Sequence, residues 1–265
     1  MKIDLPNVCN ARDIGGMKTK YGVIKQGKFI RSGVLNRLNG EDVEILKKYN
    51  LKRVIDLRTS METETTPDVK IDGVEYLNVS VVRSVTFGIS FESLDGPILA
   101  ERLQAGYERM QKKGEEYPEH MENIYRRYVY DDHCRNAYGT FLKTLANNPS
   151  DGATLWHCTM GKDRVGTCTV LLEYCLGASS EQIYEDFMLS NTQTQDNTNS
   201  VLNKAKPFVP AERLELIESM LMVQRYYLDA FFDEIKNRFG DSDGFLSACG
   251  VTDKDKENLR KLYLE

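Results

Sequence analysis

The 265-residue sequence predicts an α/β fold, a single domain over residues 1–265 with helical additions. Short apolar runs of strand length alternate with amphipathic helices in the first part of the chain, and the last third reads as helix throughout. The length permits one large domain or two small ones. The composition, 41% hydrophobic and 28% charged residues, is typical of an ordinary globular protein.

The early elements follow from local patterns. Residues 28–32 and the apolar run 53–57 have the length of buried strands. Residues 74–79 alternate polar and apolar side chains, which is the period of a strand. Between the first two strands, residues 40–49 repeat apolar side chains at helical spacing, so they predict an amphipathic helix.

Residues 97–147 form a long, charged stretch of helical sequence. A charge pattern of this kind is typical of a solvated helical face. A second interpretation makes it a lid-like helical insertion over a functional site. The Asn, Pro, Ser, Asp and Gly residues of 147–152 then predict a loop before the next strand.

The most informative motif follows that loop. A short buried strand over residues 153–156 runs into His157 and Cys158. A helix over 167–176 comes next and ends at the glycine that follows it. The remaining sequence predicts further helices, interrupted by a loop over 191–200.

Charge and cysteine usage exclude several classes of protein. A formal net charge of −5 disfavours general nucleic-acid binding, although it leaves room for a small basic pocket that holds one phosphate. The N-terminus lacks the apolar core of a signal peptide, and no apolar stretch is long enough to span a membrane. Six scattered cysteines without a Cys-x-x-Cys pair indicate reduced thiols. We therefore expect a cytoplasmic protein, with non-classical secretion left open.

The segment 156–166 carries the chemistry. Cys158 lies at the point where a strand enters a tight loop. Arg164 lies at the end of that loop, and a helix begins directly after it. Loop N–H groups and the helix N-terminus attract an anion, Gly161 lets the backbone turn closely around it, and the arginine fork matches two phosphate oxygens. The same positive surroundings favour the thiolate of Cys158, its nucleophilic form.

The pattern His-Cys-x5-Arg, here in the form His-Cys-x-x-Gly-Lys-Asp-Arg, resembles the loop of cysteine-dependent protein tyrosine phosphatases. It is most similar to a bacterial family that includes atypical dual-specificity and phosphoinositide phosphatases. Further blocks similar to those of the family lie at residues 10–16, 30–33, 56–59 with Glu62 and Glu64, and 239–252. The resemblance covers nearly the whole chain. It implies a central mixed sheet flanked by helices, hydrolysis of phosphotyrosine through a phosphocysteine, and no cofactor or metal.

The resemblance also implies roles within the loop. Cys158 would attack phosphorus, Arg164 would hold the equatorial oxygens most strongly in the transition state, and His157 would organise the loop. Asp163 is the implied general acid, since repulsion from a bound phosphate favours its protonated form. Upstream carboxylates stay open as alternatives, namely Asp95, Asp131 and Asp132.

The remaining loop residues and four charged residues outside the loop complete the candidate site. The predicted substrate-binding residues are His157, Thr159, Met160, Gly161, Lys162, Val165 and Gly166. Lys162 is interpreted either as a ligand for a second phosphate or acidic side chain, or as a solvated lysine. We expect two pairs to brace the loop as ion pairs, Arg12 with Asp13 and Asp56 with Arg58.

Two features qualify this assignment. The two His-Cys pairs, at 133–134 and 157–158, suggest zinc, but adjacent helical residues face different ways and no other ligand spacing supports a metal. The residue after the loop arginine is commonly threonine, serine or alanine in such phosphatases, whereas Val165 offers no hydroxyl to the sulfur.

Several functions remain open at this stage. The substrate is a phosphorylated protein carrying phosphotyrosine, phosphoserine or phosphothreonine, or else a phosphoinositide. The rival hypothesis is a module that binds phosphate and captures phosphorylated partners with little turnover. A sulfur-transfer enzyme of the rhodanese type also keeps a cysteine in an anion-binding loop, but the near whole-chain resemblance disfavours it.

Overall fold

The structure is a computed structural model that describes residues 1–85, 96–147, 149 and 151–265. Asp95, one of the candidate acids, lies outside these residues. The strands are β1 Arg12–Asp13, β2 Lys18–Thr19, β3 Gly22–Val23, β4 Phe29–Ser32, β5 Leu51–Asp56, β6 Glu75–Asn78 and β7 Ala153–His157. The helices are α1 Gly40–Lys48, α2 Ser60–Thr65, α3 Gly96–Lys112, α4 Tyr117–Tyr130, α5 Asp132–Asn147, α6 Asp163–Leu176, α7 Ser180–Gln193, α8 Gln195–Ala205, α9 Ala211–Leu221, α10 Arg225–Phe239, α11 Ser242–Ala248 and α12 Asp253–Tyr263.

The central sheet has five strands in the order β1-β4-β7-β5-β6. Strands β4, β7, β5 and β6 are parallel, whereas β1 runs antiparallel to β4. The sheet is therefore mixed, and helices flank it, which confirms the predicted fold class. The strands β2 and β3 pair separately as a small hairpin.

Strand register sets the position of the candidate site. Ser32 of β4 and Asp56 of β5 both pair with His157, the last residue of β7. The carboxyl ends of three parallel strands thus lie level at one edge of the sheet. That edge is where α/β folds place their binding sites, and Cys158 begins the loop that leaves it.

The core packs around β7, whose five residues are all buried. The Trp156 ring lies edge-on to Phe29 of β4 and to Phe141 of α5, with ring centroids 5.7 and 5.4 Å apart. Helix α6, which follows the loop, is buried along nearly its whole length. It ends at Gly177, whose φ of 87° is the left-handed conformation that suits a glycine C-cap.

Residues 97–147 are helical as expected, but two of their helices pack in the core and one lies beside the cavity. Helix α4 packs against α10, and α5 packs against α12 and α6, so these two helices belong to the core. Tyr125, Tyr128 and Tyr138 on them are fully or almost fully buried. Among the described residues of α3, α4 and α5, only one on α3 lines the cavity described below. A lid-like role therefore stays a prediction for α3 alone.

The loop predicted over residues 191–200 is wrong. Helix α7 continues to Gln193 and α8 begins at Gln195, with Thr194 between them. Two of the polar side chains that suggested a loop, Thr194 and Thr198, are buried, while the others lie on the outer side of a continuing helical path. Among the described residues, no helix is both long and apolar enough to cross a membrane.

Candidate active site

The backbone of the loop is held from outside through its carbonyl groups. The three successive carbonyls of residues 159–161 all accept hydrogen bonds from the surrounding scaffold. The N–H of Val34 donates to the first at 3.0 Å. The side-chain amide of Asn10 donates to the second and third at 3.2 and 2.7 Å, and Arg31 donates to the third at 3.0 Å.

The N–H groups of the same peptide planes have no such partners. A trans peptide points its N–H opposite to its C=O, so the N–H groups of Met160, Gly161 and Lys162 point away from the scaffold. None of these three has an acceptor among the described residues. Successive unpaired N–H groups in a tight loop form an anion-binding nest, and the first turn of α6 extends it.

Gly161 is required by both conformation and space. Its φ of 68° lies in the left-handed region, which side chains disfavour. A Cβ at this position would lie 2.4 Å from the carbonyl oxygen of Ser32, at the end of β4. Any other residue here would therefore push the loop away from the sheet.

Arg164 and Cys158 stand at opposite ends of the loop, and both are buried. The guanidinium of Arg164 forms a two-pronged ion pair with Glu62 of α2, at 2.7 and 2.9 Å. It also donates to the hydroxyl of Thr159 at 3.2 Å. The arginine fork is thereby fixed in direction by a carboxylate that itself lines the cavity.

Glu62 is an ionised carboxylate in this setting. Burial alone would raise its pKa, but Arg164, the backbone N–H of Thr59 and the Thr159 hydroxyl hold that pKa far below its ordinary value. Glu62 also closes the capping box of α2 with Thr59. One side chain therefore caps the N-terminus of a helix and orients the loop arginine.

His157 is oriented by carboxylates behind the loop. Its Nε2 lies 2.9 Å from Asp68, and its Nδ1 lies 3.2 Å from the carbonyl oxygen of Cys158. Burial would raise the pKa of Asp68, yet His157 and Arg58 together lower it. Arg58 also pairs with Asp56 at 2.7 Å, so the expected Asp56–Arg58 ion pair is formed.

The same carboxylates and His157 lie close enough to hold a metal ion. However, Arg58 already donates to both Asp56 and Asp68, at 2.7 and 2.9 Å. A fixed positive charge in contact with two of the three ligands opposes a cation there. The donor set is better explained as a support for His157.

Arg12 pairs differently from the prediction. It binds Asp186 of α7 at 2.9 Å, and Asp13 does not take part. The carboxylate of Asp13 instead accepts the N–H groups of Gly15 and Gly27, at 2.8 and 2.6 Å. The reason is geometric, since Arg12 and Asp13 are consecutive on β1 and so point to opposite faces.

Asp186 serves two arginines. Arg31 contacts its other oxygen at 2.5 Å and bonds the carbonyl of Gly161 as well. Burial would raise the pKa of Asp186, but Arg12 and Arg31 lower it to about 2. This ion-pair cluster links α7, β1 and β4 to the loop and braces it from behind.

Asp163, the implied general acid, faces the protein interior. One carboxylate oxygen accepts the hydroxyl of Tyr125 at 2.9 Å, and the other lies 2.8 Å from Nζ of Lys162. Lys162 is 1% exposed and does not line the cavity. The interpretation of Lys162 as a solvated lysine is therefore wrong, and it does not face the cavity to bind a second anion.

The alternative acids sit elsewhere. Asp131 lies between α4 and α5, where it accepts the N–H of His133 and contacts Arg127. Burial would raise the pKa of Asp131, but these partners lower it. Asp132 is exposed and pairs with Arg135. Neither lines the cavity beside the loop.

That cavity has a volume of about 290 Å³. Among the predicted substrate-binding residues, Thr159 and Met160 line it, whereas His157, Val165 and Gly166 are buried behind the loop. Other lining residues come from α2, α3, α8 and the connection after β4; they include Glu62, Arg102, Asn197 and Arg37.

Sequence reasoning missed four residues of this site. Glu62 had a weak signal, since it lies in a block similar to the family, but Asp68, Tyr125 and Asp186 had none. Tyr125 lies 38 positions from its partner Asp163, and Asp186 lies 174 positions from Arg12. Only the tertiary fold brings them together.

Comparison with known proteins gives consistent matches. The model of the tyrosine phosphatase family matches residues 3–265. A putative tyrosine-protein phosphatase of Cupriavidus necator is 28% identical over 263 residues, covering 97% of this chain and 86% of that protein. The triple specificity protein phosphatase PtpB of Mycobacterium tuberculosis is 23% identical over 276 residues, with 98% of each covered. The crystal structure of TpbA from P. aeruginosa matches with a TM-score of 0.31 at 12% identity, covering 75% of this chain and 91% of that one.

Proposed function

The chain belongs to the tyrosine phosphatase family, and we propose that it hydrolyses phosphotyrosine in proteins through a phosphocysteine formed on Cys158. The observation that carries this proposal is the arrangement of the loop backbone. Three carbonyls are held outward by the scaffold, and the three matching N–H groups are left without acceptors among the described residues. Buried polar groups without partners call for a ligand, and a phosphate supplies the oxygens they lack.

The first step transfers the phosphoryl group to the enzyme. The thiolate of Cys158 attacks phosphorus, the S–P bond forms, and the ester P–O bond breaks. Arg164 and the loop N–H groups stabilise the charge on the equatorial oxygens, because they are already oriented before the substrate binds. Asp163 gives its proton to the leaving oxygen.

The second step releases the product. Water attacks phosphorus, the S–P bond breaks, and inorganic phosphate leaves with Cys158 again a thiolate. Asp163 now takes the proton from the attacking water, reversing its first role. For both proton transfers its carboxyl group must turn from Tyr125 toward the bound phosphate.

Phosphoserine, phosphothreonine and phosphoinositides are further substrates of this proposal. The relative PtpB is named a triple specificity protein phosphatase, which supports testing more than phosphotyrosine. A release panel over phosphopeptides of the three residue types and over inositol lipids separates them.

The central test uses Cys158→Ser. Serine is not appreciably ionised in this setting, so the variant should bind vanadate or phosphate while hydrolysis of p-nitrophenyl phosphate without added metal disappears. Cys134→Ser, which changes a buried cysteine away from the loop, is the matched control and should keep its activity. Normal turnover by Cys158→Ser would exclude the phosphocysteine.

A further inference from the structure

Two arginines on the rim of the cavity stand apart from the others. Arg37 lies in the connection between β4 and α1, and Arg102 lies on α3; both are exposed and both line the cavity. Among the arginines whose side chains the structure describes, these two alone have no hydrogen bond, ion pair or aromatic contact.

This placement is unusual for the chain as a whole. The protein carries a net charge of −5, and acidic partners are available to arginines elsewhere. Arg58, which also lines the cavity, is already bound by Asp56 and Asp68. The two guanidinium groups that have no partner among the described residues therefore lie at one mouth, where a concave surface strengthens their attraction for an anion.

The rest of the rim suits a peptide. Asn36 lines the same cavity, and its side-chain amide has no partner within the described part of the chain. An amide both donates and accepts, so it can bond a peptide group in either direction. Met61 of α2 is 72% exposed there and offers apolar surface to a neighbouring side chain.

We propose that Arg37 and Arg102 form a subsite for a second anionic group of a phosphopeptide, close to the phosphate that is hydrolysed. The second group is an acidic side chain or another phosphate of the same peptide, since a guanidinium fork matches the two oxygens of either. This inference rests on the proposed function. It also moves the second-anion role from the buried Lys162 to the rim.

The test compares kcat/KM for phosphotyrosyl peptides of equal length. One peptide has neutral neighbours, one has glutamates on both sides, and one has a second phosphotyrosine. The protein should prefer the two anionic peptides by about three- to tenfold, mainly through KM, as expected for exposed charge pairs. High salt should weaken the preference, because it screens exposed charges.

Variants assign the preference to the rim. Arg37→Gln and Arg102→Gln should each reduce the ratio of anionic to neutral peptide, and the double variant should bring it close to one. Arg109→Gln is the matched control, since Arg109 is exposed on the same helix but does not line the cavity. A response of only one anionic peptide tells which second group the subsite accepts.

Other outcomes overturn the proposal. A wild-type ratio of one, or a ratio that survives in the double variant, excludes the subsite while turnover of p-nitrophenyl phosphate leaves the proposed function intact. Turnover of a soluble inositol bisphosphate is measured in parallel. If the double variant loses activity only on this compound and not on the anionic peptides, a peptide ligand is contradicted. Absence of all turnover would contradict the proposed function. Fluorescence anisotropy would then measure the affinity of the same peptides and decide whether the rim still prefers the anionic ones.

Discussion

Asp163 shows how the position of one side chain leads to a test of its role. Its carboxylate contacts Tyr125 and Lys162. If it donates the proton, Asp163→Asn should lower kcat on alkyl phosphates by about 10²-fold or more. Aryl phosphates with good leaving groups should lose far less, since their leaving oxygen needs little protonation. The slope of log kcat against leaving-group pKa measures the difference.

The control is Asp132→Asn, which changes an exposed carboxylate that does not line the cavity and should leave this slope unchanged. An equal loss on alkyl and aryl phosphates in Asp163→Asn would contradict its role as the acid. The proton would then come from another carboxylate, with Asp131 as the next variant to measure.

Val165 raises the question of how the thiolate is stabilised when it leaves. The nearest hydroxyl in the sequence, that of Thr167, is engaged elsewhere: it donates to the carbonyls of Asp163 and Arg164 and accepts from Tyr138. A hydrogen bond to a charged group contributes about 1.5–3 kcal/mol. We therefore expect breakdown of the phosphocysteine to limit turnover, with a burst of phenol in fast mixing with an aryl phosphate.

Val165→Thr tests this explanation. The new hydroxyl should shrink the burst and raise kcat several-fold, because about 1.4 kcal/mol corresponds to a tenfold change in rate. Val170→Thr, on the same helix one turn and a half further along, controls for a hydroxyl in the buried helix. A reaction without a burst, with kcat unchanged in Val165→Thr, would refute the account of Val165.

Among single residues, the sequence could predict only the contiguous part of the candidate site. Cys158, Gly161 and Arg164 lie within one loop, so their spacing alone indicates an anion site. Asp186 could not be predicted in the same way, because its partner Arg12 is 174 positions away. The Arg12–Asp13 prediction failed because it relied on sequence adjacency, which β1 converts into opposite faces.

Among the helices, α6 begins at the proposed anion site and also carries a buried carboxyl group. Glu173 on this helix is fully buried, and its two carboxylate oxygens have no hydrogen-bond partner within the described residues. Burial raises the pKa of Glu173 well above its ordinary value, and nearby Asp186 adds to the effect, while Arg31 and Arg12 oppose it. The raised pKa means that folding favours the protonated carboxyl.

Glu173→Gln should therefore stabilise the protein at neutral pH. A carboxyl with a raised folded-state pKa contributes fully to stability below its unfolded value, near pH 4, and that contribution is lost as the pH rises. We expect the free energy of unfolding of the variant to exceed that of wild type at neutral pH, with no gain at pH 4. Urea unfolding at the two pH values measures it.

Glu181→Gln on α7 is the control, since this glutamate is exposed and its substitution should change stability little at either pH. A loss of stability in Glu173→Gln at neutral pH would contradict the explanation that an ionised Glu173 destabilises the fold. Glu173 would then be ionised in the folded protein and would stabilise it through Arg31.

Element prediction succeeded where one pattern dominated. A buried apolar run predicted strand β7, and a glycine C-cap predicted the end of helix α6; both appear in the structure, although α6 begins at Asp163, four residues before the predicted start. The loop predicted over 191–200 failed for a physical reason. Its threonines and asparagines suggest exposure. However, the backbone N–H and the hydroxyl of Thr194 both donate hydrogen bonds to the carbonyl of Ser190, and these bonds continue the helical path.

At the scale of the whole molecule, Asp186 joins distant parts of the chain. It lies on α7 and binds Arg12 of β1 and Arg31 of β4, while Arg31 holds Gly161 of the loop. Both arginines are buried, and among the described residues Asp186 is the carboxylate with which each of them forms an ion pair. Removing a single partner from such a group leaves buried charge uncompensated.

This cluster should make the protein sensitive to acid. The pKa of Asp186 is lowered to about 2, so its contribution to stability is present above its ordinary pKa, near 4, and is lost as the pH falls toward 2. Converted into free energy, the lowered pKa of this carboxylate contributes about 2 kcal/mol to the free energy of unfolding above pH 4. Circular dichroism during an acid titration should show the free energy of unfolding decreasing across that range.

Asp186→Asn should reproduce the acid form at neutral pH. We expect it to lower the free energy of unfolding there by about 2 kcal/mol, the contribution of the ionised carboxylate, and to reduce kcat because the loop loses its brace. The difference from wild type should shrink as the pH falls from 4 to 2, since the wild-type carboxyl then becomes protonated. Asp243→Asn, which removes a half-exposed partner of Lys256, should change stability far less. A constant difference between Asp186→Asn and wild type across this pH range would show that the lost contribution is packing, and the ion-pair explanation of the brace would be wrong.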